Sequence, residues 1–218
     1  MLVQRVGERQ RAAAHQLYLE GDLLAALDEW RARERQPFDL VEVALYAEGL
    51  AEHADAAALP FIETLRAHLP VEADAILARL QLRTGQRCAA AKTLESALRG
   101  YMSDAWPSYK VMARALELAV EIGRQDSALA ARFIQLLRQP FAVGLLDSAR
   151  REALLGLFAS TGLSASCVDV AASLEPHVPW QREPLLWRLA CYRAAGSPRA
   201  AAAAADVIQF LRAEPRSL

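Results

Sequence analysis

The chain has 218 residues, 54% hydrophobic and 23% charged, with a formal net charge of −1, a pI of about 6.4 and a mean hydropathy of +0.08. That length and apolar content can fill a core and exclude a disordered chain, and the near-neutral balance excludes a non-specific nucleic-acid or membrane-surface role, which needs a basic excess on one face. No apolar run reaches the roughly 18 residues of a membrane span and the first residues lack the apolar centre of a secretory signal, so a soluble, cytoplasmic protein is expected.

Alanine makes up about a fifth of the chain, and only Lys92 and Lys110 are lysines among many arginines. This composition fits a gene from a GC-rich bacterium. Prolines and glycines punctuate the sequence. Pro37, Pro70, Pro107, Pro140, Pro179 and Pro215 recur at intervals of 33 to 39 residues. Proline ends helices because it lacks an N–H and clashes with the preceding turn. Near the middle of the segments lie Gly21, Gly85, Gly123, Gly162 and Gly196, with His53 in the equivalent place of the second. Each segment therefore reads as helix, turn, helix, proline break.

In chain order, the first segment places Leu17 and Tyr18 before the Gly21-Asp22 turn, and Ala25, Ala26 and Trp30 after it at helical spacing. The second has Leu45, then Ala58, Ile62 and Leu65, with Pro60 expected to shorten or kink its second helix. The third has Leu77, Ala78 and Leu80, the Gly85-Gln86 turn, then Ala90, Leu94, Ala97 and Leu98. An over-long junction, Gly100 to Pro107, follows. The fourth carries Ala115, Gly123 and Ala128, with Arg132 in a large-apolar position. The fifth has Leu154, Leu155, Phe158, Gly162, Ala171 and Leu174. The sixth has Leu189, Tyr192, Gly196, Ala201 and Ala205. No stretch alternates like a strand. A period in the thirties with two helices per unit is the signature of a helical solenoid.

These residues resemble the tetratricopeptide repeat: a Leu–small pair on helix A, a Gly-type turn, then small and large apolar residues on helix B and a terminal proline. The resemblance covers nearly the whole chain. It implies an all-α, right-handed α-solenoid of about six helix–turn–helix repeats. Residues 1–218 form one domain in this reading, or two halves, 1–100 and 107–218, joined by the irregular loop 100–107. In that family helix A lines the concave wall. The matching positions are Arg11, His15 and Tyr18; Ala47 and Leu50; Arg79, Leu82 and Arg83; Lys110 and Glu117; and Arg193. A mixed cationic and apolar wall suits a peptide with acidic and apolar residues; equally, the arginines could be ordinary solubilising groups. The carboxylate clamp of chaperone-binding members is absent, because Ala44, Glu72 and Ile76 hold the matching places. Tyr101, Met102 and Trp106 form a second candidate surface, or a plug between the two halves.

No nucleophile elbow, phosphate loop, dinucleotide fingerprint or zinc spacing occurs, so neither an enzyme nor a cofactor or metal is expected. His15, His53, His68 and His177 stand apart. Cys88, Cys167 and Cys191 have no metal spacing and suggest no disulfide framework, only buried small side chains. Arg31, Arg33 and Arg35, interleaved with Glu29 and Glu34, read as a solvated mixed-charge helix end. The expected function is a scaffold, adaptor or chaperone that binds a protein segment. The alternatives are a self-assembling component, dimerising through terminal repeats where Val207, Ile208, Phe210 and Leu211 are apolar for a cap, or an accessory domain of a larger enzyme or regulator.

Overall fold

The computed structural model describes residues 2–32, 37, 39–161 and 166–214, with side chains from residue 11 onward. Gly162, Pro215 and the Arg33, Glu34 and Arg35 part of the mixed-charge run lie outside the described residues. Among the described residues the chain is all-helical and has no strand. The helices are α1 (Leu2–Glu20), α2 (Leu23–Arg31), α3 (Leu40–Glu52), α4 (Leu59–Arg66), α5 (Pro70–Arg83) and α6 (Arg87–Gly100). They continue with α7 (Tyr109–Gln125), α8 (Ser127–Leu137), α9 (Asp147–Thr161), α10 (Ser166–Ser173), α11 (Arg182–Ala194) and α12 (Ala200–Ala213).

Local chemistry sets these boundaries. Aspartates start several helices by accepting backbone N–H bonds that the first turn leaves unpaired. Asp22 caps α2, Asp39 caps α3, and Asp126 caps α8 through Ala128 and Leu129. Pro70 opens α5, and Pro60 sits in the first turn of α4, behind a short 3₁₀ turn over Ala56–Ala58. Pro60 thus starts its helix instead of kinking it, since a first-turn N–H has no intrahelical partner to lose. Gly21, Gly85 and Gly196 adopt left-handed φ values of +97°, +80° and +61° in the expected turns. In the second turn Ala54, with φ +58°, takes that conformation and His53 does not.

Gly123 departs from its expected role. It lies inside α7, which runs on to Gln125. A Cβ there would meet Leu157 at 2.5 Å and Ala130 at 3.1 Å, so glycine is needed for close helix approach and not for a turn. The later turn shifts the register of α8. Leu129, Ala130 and Phe133 face inward, while Ala128 and Arg132 are exposed. In α12 the buried pair is Ala203 and Val207, not Ala201 and Ala205.

Contacts divide the chain into two compact units, Met1–Ala115 and Leu116–Leu218, with the division inside α7. In the first unit α2 packs on α1 and α3, α3 on α4 and α5, and α5 on α4 and α6. A core of Ala14, Tyr18, Leu23, Ala26, Trp30 and Leu45 holds α1, α2 and α3 together. An aromatic series crosses it: His15 stacks on Trp30, Trp30 tilts on Tyr46, and Tyr46 meets Phe61 edge-on at 4.9 Å. In the second unit α8 packs on α9, α9 on α10 and α11, and α11 on α10 and α12. Both units therefore build successive helix hairpins in which α3 touches α5, and α9 touches α11, across the intervening helix.

Gly49 marks the α2–α3 crossing, where an added Cβ would lie 2.9 Å from the Leu27 Cβ and 3.1 Å from the Leu23 carbonyl. Overpacking of this kind costs about 1–3 kcal/mol, against about 1 kcal/mol gained from helix propensity. Gly49→Ala is therefore expected to lower the urea midpoint of unfolding. An unchanged or raised midpoint would show that α2 and α3 are not in close contact there.

Candidate functional site

The first unit encloses a network of charged side chains contributed by α1, α3, α5 and α7. Arg114, from the first half of α7, donates through Nε to Glu48 Oε1 at 3.0 Å and through Nη2 to Glu48 Oε2. Its guanidinium lies 4.3 Å from the Tyr18 ring centre, and Nη1 reaches the Tyr18 carbonyl. The Tyr18 hydroxyl donates to Glu48 at 2.6 Å. Burial, then the neighbouring Glu48 charge, pushes that hydroxyl far above its usual range, so it stays protonated. Arg79 binds Glu52 at 2.6 Å and the Arg114 carbonyl at 3.3 Å, and Arg83 binds Glu52 at 2.9 Å. Burial raises the Glu52 carboxyl, but bonds from Arg83 and Arg79 outweigh it and hold it below its ordinary value.

The expected concave-wall residues fall into four groups. Tyr18, Ala47, Leu50 and Arg79 are buried in the first unit. Arg11 pairs with Asp39 and Glu42, Arg83 pairs with Glu52, and Lys110 donates to the Leu19 carbonyl at 2.5 Å. Their charges are thus used within the fold. His15 and Leu82 are half-buried, whereas Glu117 and Arg193 are exposed. Patterning singled out Tyr18, Arg79 and Arg83, but it could not reveal that Glu48, Glu52 and Arg114 would meet them.

The loop candidates separate. Tyr101 is fully buried and caps the end of α6, Met102 is half-buried, and Trp106 is 90% exposed. The Trp106 N–H donates to Asp104 at 2.9 Å, and the Ser108 N–H to Glu72 at 2.7 Å. Trp106 is therefore held outward between two backbone anchors. Glu72 is itself buried, which raises its carboxyl above the ordinary value.

In the second unit α7, α9 and α11 carry Glu117, Glu152 and Glu183. Burial and then these two neighbours raise the Glu152 carboxyl. Arg124 bonds Glu183 at 2.8 Å and lies 5.3 Å from the centre of the Trp187 ring. Trp187 and Val120 close over Gly156, where an added Cβ would meet both within 3.2 Å. A second Tyr–Glu–Arg cluster joins Tyr192, Glu175 and Arg188, with Asp206 as a further partner of Arg188.

Cys167 and Cys191 are both fully buried and joined by a disulfide, with Cα atoms 5.8 Å apart; Cys88 is free and exposed. This corrects the expectation of unlinked cysteines. The 24-residue separation carries no signal, and the bond follows from α10 packing on α11. Among the described residues no group of three or more His, Cys, Asp or Glu could hold a metal, and no helix is long and apolar enough to cross a membrane. Comparison with family models, with curated proteins and with solved structures gave no match.

Removing one partner of a buried ion pair strands the other, at about 3–5 kcal/mol. Arg114→Met is expected to destabilise the first unit by that amount in denaturant titration, and adding Glu48→Met is expected to recover most of the loss. A single-variant loss below about 1 kcal/mol would place Glu48 in contact with water. Glu72 gives a pH signature of its own. Its folded carboxyl binds a proton more tightly than the unfolded one, so its contribution favours folding at low pH and fades as pH rises above 4.5. Glu72→Gln is expected to flatten that fall and to be the more stable form at pH 7, as read by urea midpoints across the range.

Proposed function

We propose that this chain is a tetratricopeptide-like, right-handed solenoid of helix hairpins that captures a segment of a partner protein. The observation that carries this reading is the helix-over-helix contact found in each unit, α3 with α5 and α9 with α11 across the helix between them. Such arrays hold residues from several helices in line and so suit an extended or helical segment. A scaffold or adaptor acting in the cytoplasm of a bacterium fits the composition.

The second unit supplies the best-supported surface. There Glu152 neighbours Glu117 and Glu183, and Glu183 bonds the Arg124 that lies over Trp187. Of the cationic side chains first considered for binding an acidic peptide, Arg11, Arg79, Arg83 and Lys110 are engaged within the first unit, and Arg193 is exposed in the second. A partner carrying Arg or Lys spaced with apolar residues complements the acidic face instead, through charge-assisted hydrogen bonds and contact with Trp187. A second reading, self-assembly through the last hairpin, is favoured by Leu186, Ile208 and Leu211, each between 44% and 49% exposed.

Selection from a displayed random-peptide library, followed by calorimetric titration of the winners, tests the first reading. Enriched peptides are expected to be basic and apolar, and to lose about tenfold or more in affinity for Glu152→Lys, the worth of one charged hydrogen bond. Enrichment of acidic peptides, or unaltered binding by the variant, would reject this face. Light scattering across a concentration series separates the second reading, which requires a dimer.

A further inference from the structure

The disulfide has a mechanical setting that gives it a role. It joins α10 to α11, and α10 is a short, weakly held helix of the second unit. It has eight residues, fewer than a helix needs to persist alone. Its buried side chains are only Cys167 and Ala171, followed by Leu174 just past its end, whereas α9 buries a continuous run from Ala153 to Phe158. Small side chains bury little area, so the apolar hold on α10 is slight. One further tie is the Arg151 guanidinium, which donates to the Ser173 carbonyl at 2.8 Å.

We propose that Cys167–Cys191 is a redox latch, which fastens α10 over α9 and α11 when bridged and lets α10 swing free when reduced. The reductant is a low-molecular-weight thiol. One thiolate attacks a sulfur of the bridge, forming a mixed disulfide and releasing the other cysteine as a thiolate. A second thiol displaces the first cysteine, so two thiols give up two electrons and leave as their disulfide, while both cysteines take up protons. A small-molecule disulfide reverses the sequence. Both sulfurs are shielded from solvent, so attack waits for α10 to open, and opening and reduction favour each other. In a reducing compartment the helix is free, and in an oxidising one it is locked. Reduction thereby uncovers the parts of α9 and α11 that α10 covers.

Hydrogen exchange on the full chain in a Cys88→Ser background tests the latch, with dithiothreitol as reductant and its cyclic disulfide as oxidant. Amides of α10 are expected to exchange at least about tenfold faster after reduction. Those of α5 and α6 should be unaffected, and re-oxidation should restore protection. A Cys167→Ala/Cys191→Ala variant is expected to match the reduced form under both conditions. Two reactive thiols in the oxidised, denatured Cys88→Ser protein would overturn the proposal by showing no bridge. Unchanged α10 exchange on reduction would overturn it too, as would equal loosening of every helix in the second unit.

Discussion

The first unit depends on one buried guanidinium. Arg114 reaches from α7 to the carboxylate of Glu48 on α3 and to both the ring and the carbonyl of Tyr18 on α1. Three helices far apart in sequence are thereby fixed in one register. A planar fork with five donors can serve all three contacts at once, which a lysine ammonium cannot. A buried pair of this kind adds little net stability compared with an apolar filling, because desolvation offsets the attraction. What it gives is selectivity: any packing that misaligns α1, α3 and α7 leaves a charge stranded.

The same logic runs through both units at helix ends. The last carbonyls of a helix lack intrahelical partners and carry the negative end of its dipole. Here cationic side chains from other helices meet them. Lys110 and Arg114 take the final turn of α1, Arg150 takes the Leu137 carbonyl of α8, and Arg151 takes the Ser173 carbonyl of α10. Only two of the 25 basic residues are lysines. The preference for arginine has a structural counterpart, since Arg150 caps α8 and pairs with Asp147 at the same time. Charges that look like a solubilising coat in sequence are in these cases part of the helix-packing scheme.

Helix–turn–helix order was legible because glycine in a left-handed turn and proline at a break between helices leave local signals that need no tertiary context. Gly21, Gly85 and Gly196 behave accordingly. The reading slipped where local and tertiary demands share a residue type. Gly123 serves close packing against Ala130 and Leu157, so taking it for a turn displaced the register of α8. In α12 the unbroken alanine run offered no contrast between faces. The site was less legible than the fold. Tyr18, Arg79 and Arg83 stood out along the chain, yet their meaning lies in Glu48, Glu52 and Arg114. Those partners are set by how helices meet, as is the contact between Cys167 and Cys191. Residue spacing encodes neither.

The depth at which charges are paired differs between particular pairs, and dissolved ions sense that depth. Glu48 and Arg114 are sealed from solvent, so counterions cannot reach between them. Arg124–Glu183 and Arg182–Glu214, both in the second unit, are largely exposed. At molar salt the Debye length shrinks to about 3 Å, which weakens exposed pairs and leaves sealed ones nearly untouched. Ionic strength therefore acts on this chain selectively. It loosens the tie between the last turn of α7 and the first turn of α11 and the one at the ends of the last hairpin, while the Arg114 junction is insulated from the composition of the solvent.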